Sequence, residues 1–365
     1  MLYDWAIIGA GVFGSWIAHF LRQAGQKVLL LDAYGPGNSR ASSGGESRLI
    51  RASYGPDEIY TRWAQQSLPH WIALSQSNTL PLFHQVGVMR WAGSEDAHLA
   101  ASAECLQRCQ VPFELLEGAD LSRRFPQICF DPATRALFEP EAGALMARRS
   151  VETLVRQLVA QGVEYRQEMV RLPLSLPARS CVFACGPWLP KLFPDVIGKR
   201  IRPTRQEIFF FGSPPGEKLA IPGWIDSGDP RNPYGFPDLE NRGIKIAFHD
   251  LGPVFDPDTG DRQVSPQGVS AARDYLAKRF PTLRNALPLV ESRVCQYENT
   301  SSADFLIDRH PHMENVWLVG GGSGHGFKHG PALGDYFTKV ALRGAPKEPR
   351  FTLQSKLEEF TGIAL

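Results

Sequence analysis

A strand, a glycine-rich turn and a helix at the start of the sequence constrain this chain more than any other feature. Trp5-Ala6-Ile7-Ile8 is an apolar run of strand length, and Gly9-Ala10-Gly11-Val12-Phe13-Gly14 follows it directly. Apolar residues then fall at Val12, Trp16, Ile17, Phe20 and Leu21, the spacing of one helix face, and Gly25 closes the run. Val28-Leu29-Leu30-Leu31-Asp32 comes next, apolar up to its last residue, as befits a parallel strand covered on both faces. G-x-G-x-x-G between a strand and a helix, with an acidic residue ending the second strand, is the dinucleotide-binding fingerprint. Gly9 permits the turn, Gly11 lets backbone N–H groups reach a pyrophosphate, and Gly14 allows close helix–strand packing. The helix N-terminus favours the phosphate charge, and Asp32 is placed to accept hydrogen bonds from the adenosine ribose. The fingerprint alone does not separate FAD from NAD.

The rest of the chain interrupts this pattern and returns to it. Residues 35–47 are rich in Gly, Ser and Asn, which suits a loop whose backbone approaches a ligand. A helix is predicted over 58–75 and a strand over Val86–Trp91. A second helix follows from Ser150, then strands at Val163–Arg166 and Ser180–Gly186. From about 201 to 292 alternating strands dominate, as in Glu207–Gly212 and Gly243–His249, before Val316–Gly320 resumes the buried parallel type. The expected architecture is α/β, α+β overall. A Rossmann-like FAD-binding domain (1–85, 145–200 and 293–365) would carry an inserted mixed β-sheet substrate-binding domain (86–144 and 201–292). Such a discontinuous arrangement leans towards FAD, because a nicotinamide dehydrogenase more often keeps its cofactor domain in one piece.

Composition removes several classes of function. The 39 basic and 38 acidic residues nearly cancel, so neither nucleic acid nor an anionic membrane is an expected partner. No run reaches the roughly 18 apolar residues of a membrane span, and no secretory leader is evident. The six cysteines follow no zinc or disulfide spacing, which fits reduced thiols in a cytoplasmic protein. Cys105 and Cys109 could share a helix face, but two thiols without further ligands make a poor metal site. No metal is expected.

Two later segments, Arg293-Val-Cys295-Gln-Tyr297 and Gly320-Gly-Gly-Ser-Gly-His325-Gly-Phe-Lys328, join the N-terminal glycines and Ser47-Arg48-Leu-Ile-Arg51. With Tyr234-Gly-Phe-Pro, Gly243-Ile-Lys245 and Phe305-Leu-Ile-Asp308, they resemble the monomeric sarcosine oxidase and N-methyltryptophan oxidase family of D-amino-acid oxidase-like flavoenzymes. The resemblance runs over nearly the whole chain. It implies FAD bound covalently through Cys295, Lys245 beside the flavin to help activate oxygen, and Arg48 near the flavin ring. It implies a substrate carboxylate held by Arg51 and Lys328, in a cavity lined by Tyr234, His249, Tyr297 and His325. Ser43, Gly322, Gly324 and Lys328 join the cofactor wall, and Lys245, Arg48 and His249 form the catalytic set. Two departures stand out: Ser42-Ser43-Gly44 replaces a histidine pair, and Gly322 replaces an aromatic residue of sarcosine oxidase.

The function implied is oxidation of the C–N bond of an N-methyl or cyclic secondary amino acid to an imine, with oxygen reduced to hydrogen peroxide by a monomeric enzyme. The rivals are a dehydrogenase that passes electrons to a carrier and a non-catalytic assembly factor on the same fold. Arg51 suits a carboxylate because its planar guanidinium donates two parallel hydrogen bonds. Lys245 read by itself is a strand lysine of the usual solvent-facing kind, and Cys295 read by itself is an inert core thiol. The histidines taken singly are weak signals, and none is assigned as a general base.

Overall fold

Strand Val28–Asp32 shows how the dinucleotide-type half is built. Val28 and Leu30 pack into one apolar cluster and Leu29 and Leu31 into another, so both faces of the strand are covered. That is why its sequence shows no polar alternation. The strand belongs to a six-stranded sheet ordered Leu306–Arg309, Val316–Gly320, Ala178–Phe183, Tyr3–Ile8, Val28–Asp32 and Glu164–Gln167. Every neighbouring pair is parallel except the first. Helices Val12–Gln23, Ala147–Ala160 and Gly330–Arg343 contribute their apolar stripes to the cluster on one face. Leu189, Phe193, Ile197 and Ile201 cover the other. This computed structural model describes residues 2–172, 175–213, 219–283 and 288–358. Residues 173–174, 359–365 and Met1, read above as FAD-binding, and 214–218 and 284–287, read as substrate-binding, lie outside the described residues.

The sheet order reverses around Tyr3–Ile8: the next strand in sequence lies on one side of it and Ala178–Phe183 on the other. At such a switch point the carboxyl ends of the strands leave a crevice. Gly9, at φ 109°, turns the chain there, and a Cβ on it would lie 2.3 Å from the Ala184 carbonyl oxygen. A Cβ on Gly14 would lie 1.9 Å from the Gly9 carbonyl oxygen.

The second sheet has eight strands: Leu289–Asn299, Arg202–Phe211, Ile244–Phe248, Pro233–Phe236, Gly223–Asp226, Val88–Gly93, Thr134–Glu139 and Glu114–Glu117. It is antiparallel except where Gly223–Asp226 meets Val88–Gly93. One face buries Phe209, Phe211, Ile244 and Ile246 against helix Pro266–Arg279. The alternate residues Ile208, Phe210 and Ala247 gather with Tyr234 and Cys295 on the opposite face. Lys245 shares that face by period, yet it is only 2% exposed. The usual solvent-facing reading of a strand lysine therefore fails here, because the face is covered. Strand Leu289–Asn299 pairs with Arg202–Phe211, with Cys295 opposite Gln206. The boundary drawn at 293 thus falls inside a strand of this eight-stranded sheet, and Cys295 and Tyr297 hang from it. A third, small sheet of Ser47–Ile50, Gly143–Met146 and Phe83–His84 carries Arg48 and leads into Arg51.

Among the described residues, no helix is long and apolar enough to cross a membrane. All six cysteines are free. The reading of Cys105 and Cys109 as thiols without a further ligand is corrected, since the Glu58 carboxylate lies within 4.8 Å of both sulfurs. That carboxylate also pairs with Arg62 and Arg108.

Gly14→Ala should destabilise the protein by about 1–3 kcal/mol, the usual cost of overpacking, because both the methyl group and the Gly9 carbonyl need the same space. Denaturant unfolding checks this, and an unchanged midpoint would show that helix and strand are not pressed together there.

Candidate active site

A cavity of about 600 Å³ runs from the N-terminal glycines to the inner face of the eight-stranded sheet. Its size lies within the roughly 300–1,000 Å³ common for ligand sites. Gly9, Gly11 and Asp32 line one end, and Arg48, Tyr234 and Cys295 the other. Gly11 is the N-cap of helix Val12–Gln23 and has no side chain with which to cap it. Ser43 Oγ accepts from the Val12 N–H at 3.1 Å, and the remaining first-turn donors are free to meet a phosphate. Asp32 accepts from the backbone N–H groups of Ala10, Tyr34 and Gly35 at 2.8, 2.9 and 3.0 Å. Burial raises its pKa, and these three donors oppose the rise.

At the other end, Arg48 donates to the backbone oxygens of Ser47 and Ser42, each at 2.8 Å, and its guanidinium lies 5.9 Å from the Phe327 ring centroid. One of its nitrogens is 3.8 Å from Cys295 Sγ, which faces the same cavity. The Lys245 ammonium donates to Ser47 O at 2.6 Å and Ser47 Oγ at 3.2 Å and sits 4.6 Å from the Phe236 ring centroid. Burial, and next the nearby Arg48, hold Lys245 well below the ordinary lysine pKa. Gly322 and Gly324 line the cavity from the turn before the last helix.

A smaller cavity of about 90 Å³ opens beside the first and shares Arg48, Tyr234, Tyr297, Gly324 and Phe327 with it. Arg51 and Lys328 both line it, and each lies over the Tyr54 ring. Lys328 donates to Tyr54 Oη at 2.6 Å and to His325 O at 3.0 Å, and burial followed by Arg51 lowers its pKa strongly. Arg51 donates to Ser53 O, with its guanidinium 4.6 Å from the Tyr54 ring centroid. His249 Nδ1 lies 3.2 Å from Tyr297 Oη, and Tyr297 and Tyr234 hydroxyls are 3.5 Å apart. Burial and then the cations Arg51, Arg90 and Lys328 push His249 down to about 4. His325 is likewise lowered, first by burial and then by Lys328; it is fixed between Tyr54 Oη and Ala303 O. Both imidazoles are neutral near pH 7, so they offer hydrogen bonds and shape but no charge.

Every site residue named from the sequence therefore lies at one of these two connected cavities, except Gly14, which supports the wall, and Lys245, which sits just behind it. Three further residues escaped the sequence reading. Tyr54 bridges Lys328 to His325 and His329 through one hydroxyl. Arg90 lines the smaller cavity, and its signal was a charge inside the otherwise apolar run Val88–Trp91. Glu298 lines the larger one; its Oε2 has no partner, and no local pattern marks it.

These residues fit FAD. A glycine-capped helix N-terminus would meet the phosphates, Asp32 would hold the adenosine end, and Glu298 Oε2 and Gln296 Oε1 are polar atoms at the cavity wall without a partner among the described residues. Fold and site together define a flavoprotein with a dinucleotide-binding half and a second, eight-stranded sheet facing the same cavity. Residues 4–340 match the DAO family, FAD dependent oxidoreductase, and the chain belongs to that family. It is 29% identical to monomeric sarcosine oxidase of Bacillus sp. (strain B-0618), with 94% of this chain and 93% of that protein covered. It is 30% identical to N-methyl-L-tryptophan oxidase of Salmonella newport (strain SL254), covering 95% and 96%. Among solved structures it is similar to L-proline dehydrogenase from P. horikoshii, with TM-score 0.82, 19% identity and 95% of each chain covered. It is also similar to the fructosamine oxidase Amadoriase II of Aspergillus fumigatus, with TM-score 0.79, 20% identity, and 96% and 89% covered.

Burial raises the Glu298 carboxyl to about 7, against the opposing N–H groups of Gly322 and Gly321. Because this folded-state value lies above the ordinary 4.5, the native protein holds a proton that the unfolded chain has released, and stability falls as pH rises through that window. Glu298→Gln should therefore gain stability relative to wild type at about pH 8 but not at about pH 5. Urea midpoints of both proteins at both values check this, and parallel pH profiles would contradict it.

Proposed function

We propose that this enzyme oxidises the C–N bond of a small amine carrying a carboxylate, an N-methyl or cyclic secondary amino acid, to the imine, with oxygen reduced to hydrogen peroxide. The observation that carries the reading is the presence of Arg51 and Lys328 together in a small cavity that shares lining residues with the cofactor-sized one. FAD, when bound, supplies the two-electron redox chemistry, accepting a hydride equivalent from carbon and returning electrons to oxygen.

The protein's part is positioning and charge. Arg51 and Lys328 would grip the carboxylate and fix which face of the substrate carbon meets the larger cavity. The same cations disfavour an ammonium beside them, which keeps the substrate nitrogen neutral and its lone pair available. His249, Tyr297 and Tyr234 form a hydrogen-bonded wall without charge. Lys245 stands behind that wall as the cation towards which reduced oxygen would be drawn. The names of the sarcosine and N-methyltryptophan oxidases support an amino-acid substrate, and the lysine favours oxygen over a carrier as electron acceptor. A peroxide yield of one per substrate oxidised separates the two acceptors, and no peroxide would overturn the oxidase reading.

Lys245→Met should slow flavin reoxidation by oxygen roughly 100-fold, the scale of losing one preorganised charge, with much less effect on flavin reduction by substrate. Since the Lys245 pKa is lowered, its cation disappears at a lower pH than that of an ordinary lysine. Wild-type reoxidation should therefore decline with rising pH, and the variant should lack that decline. Stopped-flow measurement of both half-reactions decides, and equal slowing of the two would remove the assignment.

Cys295 is the attachment point in this reading. Its sulfur faces the cavity, 3.8 Å from a nitrogen of the Arg48 guanidinium. After acid precipitation the yellow colour should stay with the protein and be released in Cys295→Ser. Flavin that washes freely from wild type would refute covalent attachment while leaving FAD binding intact.

A further inference from the structure

Arg51 and Lys328 suffice to clamp one carboxylate, and a third cation lines the same cavity. Arg90 projects into it from strand Val88–Gly93 and is 6% exposed. Its Nε donates to Ser227 Oγ at 2.9 Å, and it forms no ion pair among the described residues. Burial, and then Arg51, lower its pKa to about 9, so the guanidinium keeps its charge near pH 7 at a cost.

Two neighbouring carboxylates, Asp96 and Glu139, oppose the fall in the Arg90 pKa, yet neither is paired with it. Glu139 accepts from the N–H groups of Ala52 and Ser53 at 2.6 and 3.1 Å. Asp96 caps helix Ala97–Arg108 by accepting from the Leu99 N–H at 2.6 Å. The other ionisable groups around Arg90 are His98, His249 and Tyr54, and the histidines are driven towards their neutral forms. Arg51, Arg90 and Lys328 thus face one cavity, with Asp96 and the buried Glu139 acting on Arg90 from nearby. An uncompensated buried cation is costly, and a ligand anion relieves that cost directly.

From the place of Arg90 in this cavity, buried and without an ion pair among the described residues, we infer that the substrate carries two anionic groups. It is a secondary amino acid with a second acid, carboxylate or phosphonate, whose far end is received by Arg90. The inference rests on the reading of Arg51 and Lys328 as the carboxylate clamp and adds Arg90 as the residue that selects the substrate. The planar donor fork of Arg90 suits either acid.

Two measurements on the flavin-loaded enzyme test this. In the first, anaerobic flavin reduction is followed with N-methylaspartate, N-methylglutamate and N-(phosphonomethyl)glycine against sarcosine and N-methylalanine. At least one diacid should exceed both monoacids roughly 100-fold in kcat/KM, and whether a carboxylate or the phosphonate wins identifies the second acid. Arg90→Gln should abolish the preference, and Arg90→Lys should retain part of it.

In the second, the oxidised enzyme is titrated with succinate and with propionate, read as a shift in flavin absorbance. This readout requires no turnover and so separates failure of the inference from failure of the proposed oxidation. Succinate should bind roughly 100-fold more tightly than propionate in wild type and about equally in Arg90→Gln. Equal binding of the two acids by wild type, or a diacid preference that survives Arg90→Gln, would overturn the assignment. If no amine reduces the flavin but succinate is still preferred, the two-anion cavity stands and the amine oxidation falls.

Discussion

Positive charge concentrated in a desolvated cavity is the constraint around which this molecule is organised. Arg51, Arg90 and Lys328 reach the same space from three places: the end of a short strand, the middle of the eight-stranded sheet, and the turn before the last long helix. Left alone they repel one another, and burial adds to the cost of each charge. What holds them is a framework of neutral partners. Tyr54 accepts from Lys328, Ser227 accepts from Arg90, and the Ser53 carbonyl accepts from Arg51. The cavity is therefore poised for an anion before one arrives.

The fold turns this poise into chemistry by setting the charged cavity against the cofactor-sized one. The six-stranded sheet supplies glycines and a helix N-terminus for the phosphates. The eight-stranded sheet supplies a wall of Tyr234, Cys295 and Tyr297. Arg48 and Phe327 belong to both spaces, so in the proposed scheme a substrate held by its acid end would lie beside the redox group. Lys245 is separate from this clamp. It sits on the inner face of the second sheet, bonded to Ser47, and acts on the oxygen side of the reaction in the proposed scheme.

Much of this was legible in the sequence because it depends on local pattern. The strand–turn–helix around Gly9 to Gly14 and the apolar strand ending at Asp32 fix the dinucleotide half through short-range rules, and the structure forms both. The boundary at 293 was less legible, because strand Leu289–Asn299 gains its identity from pairing with Arg202–Phe211, far away in sequence. Lys245 reads as a solvent-facing lysine by period alone; only the strand packed over it makes its face an interior one. Tyr54, Arg90 and Glu298 lacked any motif, since their roles come from what three distant segments bring beside them. Arg90 did leave a trace, as the one charge in an apolar strand, but a single charge cannot tell a cavity from a surface.

The central claim is that a carboxylate is held by Arg51 and Lys328 against a bound flavin. Its most direct measurement is titration of the flavin-loaded enzyme with acetate, which cannot be oxidised as an amine, in wild type, Arg51→Met and Lys328→Met. A saturable change in flavin absorbance, weakened roughly 10-fold or more by either substitution, is the predicted result. A flavin spectrum indifferent to acetate, or acetate binding untouched by both substitutions, would contradict it.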